Sequence, residues 1–264
     1  MIGPTPLLDF FKRGEVARDV RLLAAQGALA PRAYEQLAIL VLLTEDVDPE
    51  IRRTADHTLA LIPRATLASF LARADVPAGI REFFADRGVF PDEIAPIEPA
   101  DDVEVPLIET ALSGEDAESL EEGARRIGVV QLVAEMGFTQ RLKAALKGTR
   151  EMRAILVRDT NKMIAAAVLS SPRLSDSEVE SFARMTTVGE DVLRAIGSNR
   201  SWMKSYGIVV ALTKNSKTPV ATSMNLMRRL NTRELTMLSL DRNIPEALRR
   251  AARRKVEETT SKME

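Results

Sequence analysis

The chain has 264 residues, 45% of them hydrophobic and 28% charged, with a single histidine and no cysteine. That content supports one large core or two modest ones, and the absence of thiols and paired imidazoles excludes a disulfide framework, thiolate chemistry and the usual zinc sites. A net charge of −1 conceals a segregation: residues 1–87 carry 11 basic and 12 acidic side chains (−1), 88–124 carry none and 12 (−12), and 125–264 carry 26 and 14 (+12), a pattern that speaks of partners or self-association rather than of fold.

The opening MIGPTPLLDFFKRG lacks a basic start followed by an unbroken apolar core, and no apolar run approaches the ~18 residues of a membrane span. The expectation is a cytoplasmic, bacterial protein with no membrane partner. From there to residue 87 the spacing is helical. EVARDVRLLAAQG, PRAYEQLAILVLLTED and PRATLASFLARAD repeat apolar residues at three- and four-residue intervals, and VDPEIRRTADHTLALIP and ADVPAGIREFFADRG fit more loosely. Residues 1–87 therefore read as an N-terminal helical domain. Between Gly88 and Gly123 stand four prolines, twelve acids and no base. Such text buries too little apolar surface to offset chain entropy, so 88–124 is expected to be an acidic, partly disordered linker, with short helices beginning near Pro106 and Glu115.

Residues 125–264 divide into three units of three helical segments: FTQRLKAALKG, TREMRAILVRD and TNKMIAAAVLSSP; then SDSEVESFARMTT, VGEDVLRAIGSN and RSWMKSYGIVVALTK; then TPVATSMNLMRRL, NTRELTMLSLDR and NIPEALRRAARRKV. Aligning Ala154-Ile155 with Ala195-Ile196 gives a period of 41, and Ile196 with Leu238 gives 42. A longer echo places Pro245, Leu248 and Arg249 on Pro77, Ile80 and Arg81, a displacement of 168 residues, four periods of 42. Ser175 with Glu178 and Asn231 with Glu234 have capping-box spacing. MIAAAVL (163–169) and YGIVVAL (206–212) are apolar on every side, as befits helices sandwiched between neighbours. EALRRAARRKVEE keeps one apolar stripe (Ile244, Leu248, Ala251, Ala252, Val256), which suits a terminal cap. Strand-like alternation is missing. The fold class is all-α, and a period near 42 with three helices per unit predicts an α-solenoid of HEAT or armadillo type, whose units bury their faces only by stacking.

Asp48-Pro49-Glu50-Ile51-Arg52-Arg53-Thr54-Ala55 resembles the HEAT turn, in which an acid and a β-branched-Arg pair bracket a helix start. With its RDTNK, SNRSW, NSKTP and LDRNIP turns, the back piece is similar to a group of uncharacterised bacterial HEAT-like repeat proteins. The HEAT class implies a superhelical binding scaffold, and the narrower group implies no activity.

The recurring turns present Arg158, Asp159 and Asn161, then Asn199 and Arg200, then Asp241, Arg242 and Asn243 at equivalent places. They suit a polar strip for a partner, or else caps for the following helices. Lys214, Asn215 and Lys217 stand beside a helix start at Thr218-Pro219, either an anion seat or a solvated turn. Trp202 and Tyr206 lie four apart, on one helical face, with Arg200 and Lys204 beside them. Stacking on a base and filling of an inter-unit core both fit. Arg249, Arg250, Arg253, Arg254 and Lys255 form the densest basic cluster, which Glu246, Glu257 and Glu258 can partly neutralise at i,i+4. His57 has no second histidine and no Ser/His/Asp grouping of recognisable spacing, so neither catalytic residues nor metal ligands nor cofactor sites are expected.

Two functions follow. One is a non-enzymatic protein–protein interaction scaffold whose basic solenoid takes an acidic protein partner through Arg158, Asn161, Arg200, Lys204, Lys214, Lys217, Arg242, Arg249, Arg250, Arg253 and Arg254. The other is nucleic-acid binding through phosphate-backbone contacts and counterion release; HEAT-like alkylpurine DNA glycosylases share the architecture, but their cleft of aromatic and acidic residues has no counterpart in this text. In either case the −12 linker is suited to fold over the +12 array and compete with the partner, or to act as a solubilising spacer. No small-molecule substrate is evident.

Overall fold

The computed structural model describes residues 6–30, 32–92, 107–108 and 128–260. Among them the chain is all-helical, with sixteen α-helices, one 3-10 turn and no strand. None of these helices is long and apolar enough to cross a membrane.

Two compact units share the chain. The first comprises Met1–Arg153 with Ser170–Arg173 and holds α1 (Pro6–Lys12), α2 (Arg18–Ala25), α3 (Ala33–Leu43), α4 (Pro49–Ala60), α5 (Arg64–Leu71), α6 (Ala78–Ala85), α7 (Val129–Glu135) and α8 (Phe138–Lys147). The second comprises Ala154–Leu169 with Leu174–Glu264 and holds α10 (Lys162–Leu169), α11 (Asp176–Arg184), α12 (Glu190–Ser198), the 3-10 turn Trp202–Lys204, α13 (Tyr206–Lys214), α14 (Val220–Met227), α15 (Thr232–Leu240) and α16 (Glu246–Thr260). The boundary cuts α9 (Arg150–Leu156). All nine helical segments read from residues 138–256 are present. The sequence reading, however, assigns everything after the linker to one array, whereas residues 128–153 group with the first unit. Local bonds give the reason: Ser170 Oγ donates to the buried Glu35 Oε1 (3.2 Å), Ser171 Oγ donates to the Leu146 carbonyl (2.8 Å), and Arg153 reaches the Gly148 and Arg173 carbonyls (2.8 and 3.3 Å). Most of the acidic linker, including its expected helices near Pro106 and Glu115, lies outside the described residues.

In the first unit α3 is the central helix. Its AILVLL run presents apolar surface on nearly every side, and it packs on α1, α2, α4 and α6. Leu37, Leu40 and Leu43 of α3, Val20 of α2 and Ile51 and Ala55 of α4 are all buried, each large aliphatic contributing about 1.5–3 kcal/mol on burial. Guanidinium groups close several helix ends here, where the last carbonyls lack intrahelical donors. Arg81 of α6 donates to the Leu71 and Arg73 carbonyls (3.0 and 2.6 Å), and Arg52 of α4 donates to those of Asp46 and Val47 (2.5 and 3.2 Å). Arg21 grips both oxygens of Asp46 (2.7 and 2.6 Å), whose side chain is 5% exposed. Asp48 caps α4 by accepting the Glu50 N–H (2.8 Å). The Glu50 N–H, seconded by the Arg18 guanidinium, holds the Asp48 carboxyl below its ordinary range.

In the second unit, helices two apart in sequence pack together, α10 on α12, α11 on α13 and α14 on α16, while α13 also meets α14 and α15 meets α16. All of Met163–Leu169 in α10 is buried, and α16 buries Leu248 and Ala252 along one stripe. The recurring turns have one geometry. Asn199, Asn215 and Asp241 end their helices in extended backbone with ψ of 115°, 119° and 117°. Their Oδ1 atoms accept the N–H two residues on, from Ser201 (2.9 Å), Lys217 (3.0 Å) and Asn243 (2.9 Å), and Asp159 does the same for Asn161 (2.8 Å). These are Asx turns, so the repeated Asp/Asn residues are local caps. Asn215, 5% exposed, does more: its Nδ2 donates to the Ala183 and Met185 carbonyls (2.8 and 3.0 Å) and stitches the end of α11 to that of α13.

Candidate partner-binding surface

The basic residues singled out by sequence separate into two kinds. Some are engaged within the unit. Lys214 Nζ lies 2.6 Å from Glu234 Oε2 and links α13 to α15. Arg250 Nε donates to Glu246 Oε1 (2.8 Å), a bond that holds the Glu246 carboxyl below its usual range. Arg254 Nε is 3.9 Å from Glu258, and Arg158 turns its Nε onto the Ala154 carbonyl (3.0 Å). Asn161 is occupied as a cap, accepting the Met163 N–H (2.9 Å). Others face solvent. The side chains of Lys204, Lys217, Arg242 and Arg253 are exposed and make no hydrogen bond or ion pair within the described residues, and the half-buried Arg249 side chain makes no hydrogen bond there. Arg200 is also exposed. Arg228, Arg229 and Arg233, which the sequence reading passes over, join the outward set.

Between α14 and α16 a cleft of about 490 Å³ is lined by Met224, Met227, Ala251, Arg228, Arg254, Lys255, Asn225 and Glu258. Of these, Met227 is buried and Met224 and Lys255 half-buried, while Arg228, Arg254 and Glu258 are exposed. Only Arg254 and Lys255 belong to the cluster legible in sequence. The Arg228-Arg229 doublet at the end of α14 is a signal for the rest, once α14 is known to pack on α16. Methionine side chains adapt to varied apolar groups, and guanidinium forks favour carboxylates.

A second cleft, of about 440 Å³, opens along α13 and is lined by Arg184, Thr186, Tyr206, Gly207, Val210, Lys214, Asn215 and Glu234 among others. Its charges are internally compensated. Glu180 pairs with Arg184, and its carboxylate lies so close to Gly207 that a Cβ there would collide with it. The expected capping box at Asn231 and Glu234 forms only by half: Asn231 accepts the Glu234 N–H (2.8 Å), but Glu234 is drawn to Lys214, and the Asn231 N–H donates instead to Tyr206 Oη (3.1 Å). By contrast the Ser175 and Glu178 box is complete.

The aromatic pair departs from its expected common helical face. Trp202 is half-buried in the 3-10 turn, Ser205 breaks the helix with ψ 117°, and Tyr206 begins α13 at 43% exposure. The two rings therefore share no helical face, because Asn199 captures the Ser201 and Trp202 N–H groups and forces a tight turn. Ahead of α14 the Lys217 and Thr218 N–H groups are taken by the side chain and carbonyl of Asn215. His57 is exposed on α4 beside Asp56, which pairs with Arg87 at 3.5 Å. No group of three or more metal-binding side chains occurs among the described residues.

No protein-family model, curated protein or solved structure matches this chain.

Proposed function

We propose that the chain is a non-enzymatic interaction scaffold, a HEAT/armadillo-like α-solenoid whose basic second unit receives an acidic, partly apolar protein segment in the cleft between α14 and α16. The observation that carries this reading is the combination of Met224 and Met227 with Arg228, Arg254 and Lys255 in one cleft lining. A surface meant only for phosphates has no use for thioethers, whereas an amphipathic acidic helix uses both parts. The exposed Arg229, Arg233, Arg242 and Arg253 extend the field that steers such a partner.

The test is a fluorescence anisotropy titration of the full chain against a labelled acidic Glu/Leu amphipathic peptide and against mixed-sequence DNA and RNA, at about 50 and 150 mM salt. The peptide is expected to bind and to stay bound at the higher salt, and Arg228→Glu with Arg254→Glu is expected to weaken it at least tenfold. Nucleic acid binding tighter than the peptide, with a steep salt slope, overturns the reading in favour of a phosphate-backbone binder.

A further inference from the structure

The first unit holds a second recognition element, remote in chemistry from the basic cleft and independent of the function proposed above. Gln36 lies on α3 and is 2% exposed, yet its carboxamide is fully employed. Nε2 donates to the Gly27 carbonyl at 2.9 Å, which fixes the amide plane. The same Nε2 donates to the Ile108 carbonyl at 3.2 Å, and Oε1 accepts the Ile108 N–H at 3.1 Å. A side-chain amide thus pairs with one residue of main chain as a neighbouring β-strand would, across 72 positions of sequence.

The walls match the occupant. Gly27 has φ +79°, and a Cβ built on it would stand 3.5 Å from Ile108 Cγ2, 3.4 Å from Thr58 Cγ2 and 3.6 Å from Gln36 Nε2. Glycine is favoured there by the left-handed backbone, and the Ile108 side chain lies within van der Waals reach of it. Leu107 and Ile108 are both half-buried. They stand in a segment that carries four prolines, twelve acids and no base.

We propose that Gln36, Gly27 and Thr58 form a peptide-docking seat that reads an aliphatic dipeptide by main-chain pairing, and that its resident occupant is this chain's own Leu107–Ile108. The acidic linker is thereby latched to the first unit at its midpoint. Main-chain bonds give the grip, and the aliphatic Ile108 side chain lies against Gly27.

Hydrogen exchange read by NMR on the full chain tests the latch. The Ile108 amide is expected to exchange about two orders of magnitude more slowly than in an unstructured chain, and Leu107→Asp with Ile108→Asp, which alters no helix, is expected to leave the α3 and α4 amides protected. A labelled peptide of residues 103–113 should bind that double variant at least tenfold more tightly than it binds the unaltered chain, whose seat is filled. Adding Gln36→Leu should abolish this gain, with thermal unfolding run in parallel to show that the unit is folded. Rapid Ile108 exchange in the unaltered chain, or equal peptide affinity for both forms, overturns the proposal.

Discussion

The two units finish their helices by different chemistry, and the difference decides where charge is left over. Every positive φ among the described residues falls on a glycine of the first unit, Gly14, Gly27, Gly88 or Gly128. There the chain reverses through left-handed backbone, and arginines such as Arg52, Arg81 and Arg153 are consumed as donors to loop and helix-end carbonyls. The second unit reverses through Asx turns with no left-handed residue, and the carbonyls at the end of α11 are served by the Asn215 amide. Its arginines at Arg228, Arg242 and Arg253 are released to the surface. Similar basic content therefore acts as internal fastening in one unit and stands as exposed charge in the other.

The strongest way to break this comparison is Asn215→Leu. The Ala183 and Met185 carbonyls lose their donors in a buried setting, for an expected cost of about 3 kcal/mol. Urea unfolding followed by segment-resolved hydrogen exchange should show the loss in the second unit alone. Next comes a matched pair of arginines. Arg21→Ala strands the buried Asp46 carboxylate and should cost about 2 kcal/mol, while Arg253→Ala should stay within about 0.5 kcal/mol. Equal effects in chemical denaturation would erase the distinction between fastening and surface. Gly207→Ala is milder, because the atoms in its way belong to the movable Glu180 carboxylate; below about 1 kcal/mol is expected.

The smallest effect is on pH dependence. Burial would raise the Asp75 carboxyl, but the bidentate Arg73 guanidinium outweighs it and the group titrates below its ordinary value. A depressed carboxylate pKa means that its stabilisation is complete above the unfolded value of about 3.9 and disappears as pH falls through the lower folded value. Acid titration from about pH 4 downward should therefore weaken the unaltered chain more steeply than Asp75→Asn, with thermal midpoint as readout.

Much of the fold is legible because helix signals are local. The all-apolar run at 163–169 forecasts a buried helix, and Ser175 with Glu178 forecasts a complete box. Where a tertiary partner outbids the local one, sequence fails. Glu234 has the right spacing for Asn231, yet a lysine from α13 takes its carboxylate. The candidate cleft is half legible: Arg254 and Lys255 stand out as a run, but Met224, Met227 and Arg228 acquire meaning only from the packing of α14 on α16. The Gln36 seat carries no local signal, since a glutamine inside a helix does not announce a partner 72 residues away.

The methionine lining has a consequence of its own. In a chain without a single cysteine, sensitivity to oxidants passes to thioethers, and Met224 and Met227 sit where such sensitivity would be felt. Conversion to sulfoxide replaces an adaptable apolar surface with a polar, chiral one and is reversed only by dedicated reductases. Oxidative exposure would then loosen the grip on the acidic partner proposed above while leaving the arginines, and hence the proposed electrostatic encounter, intact.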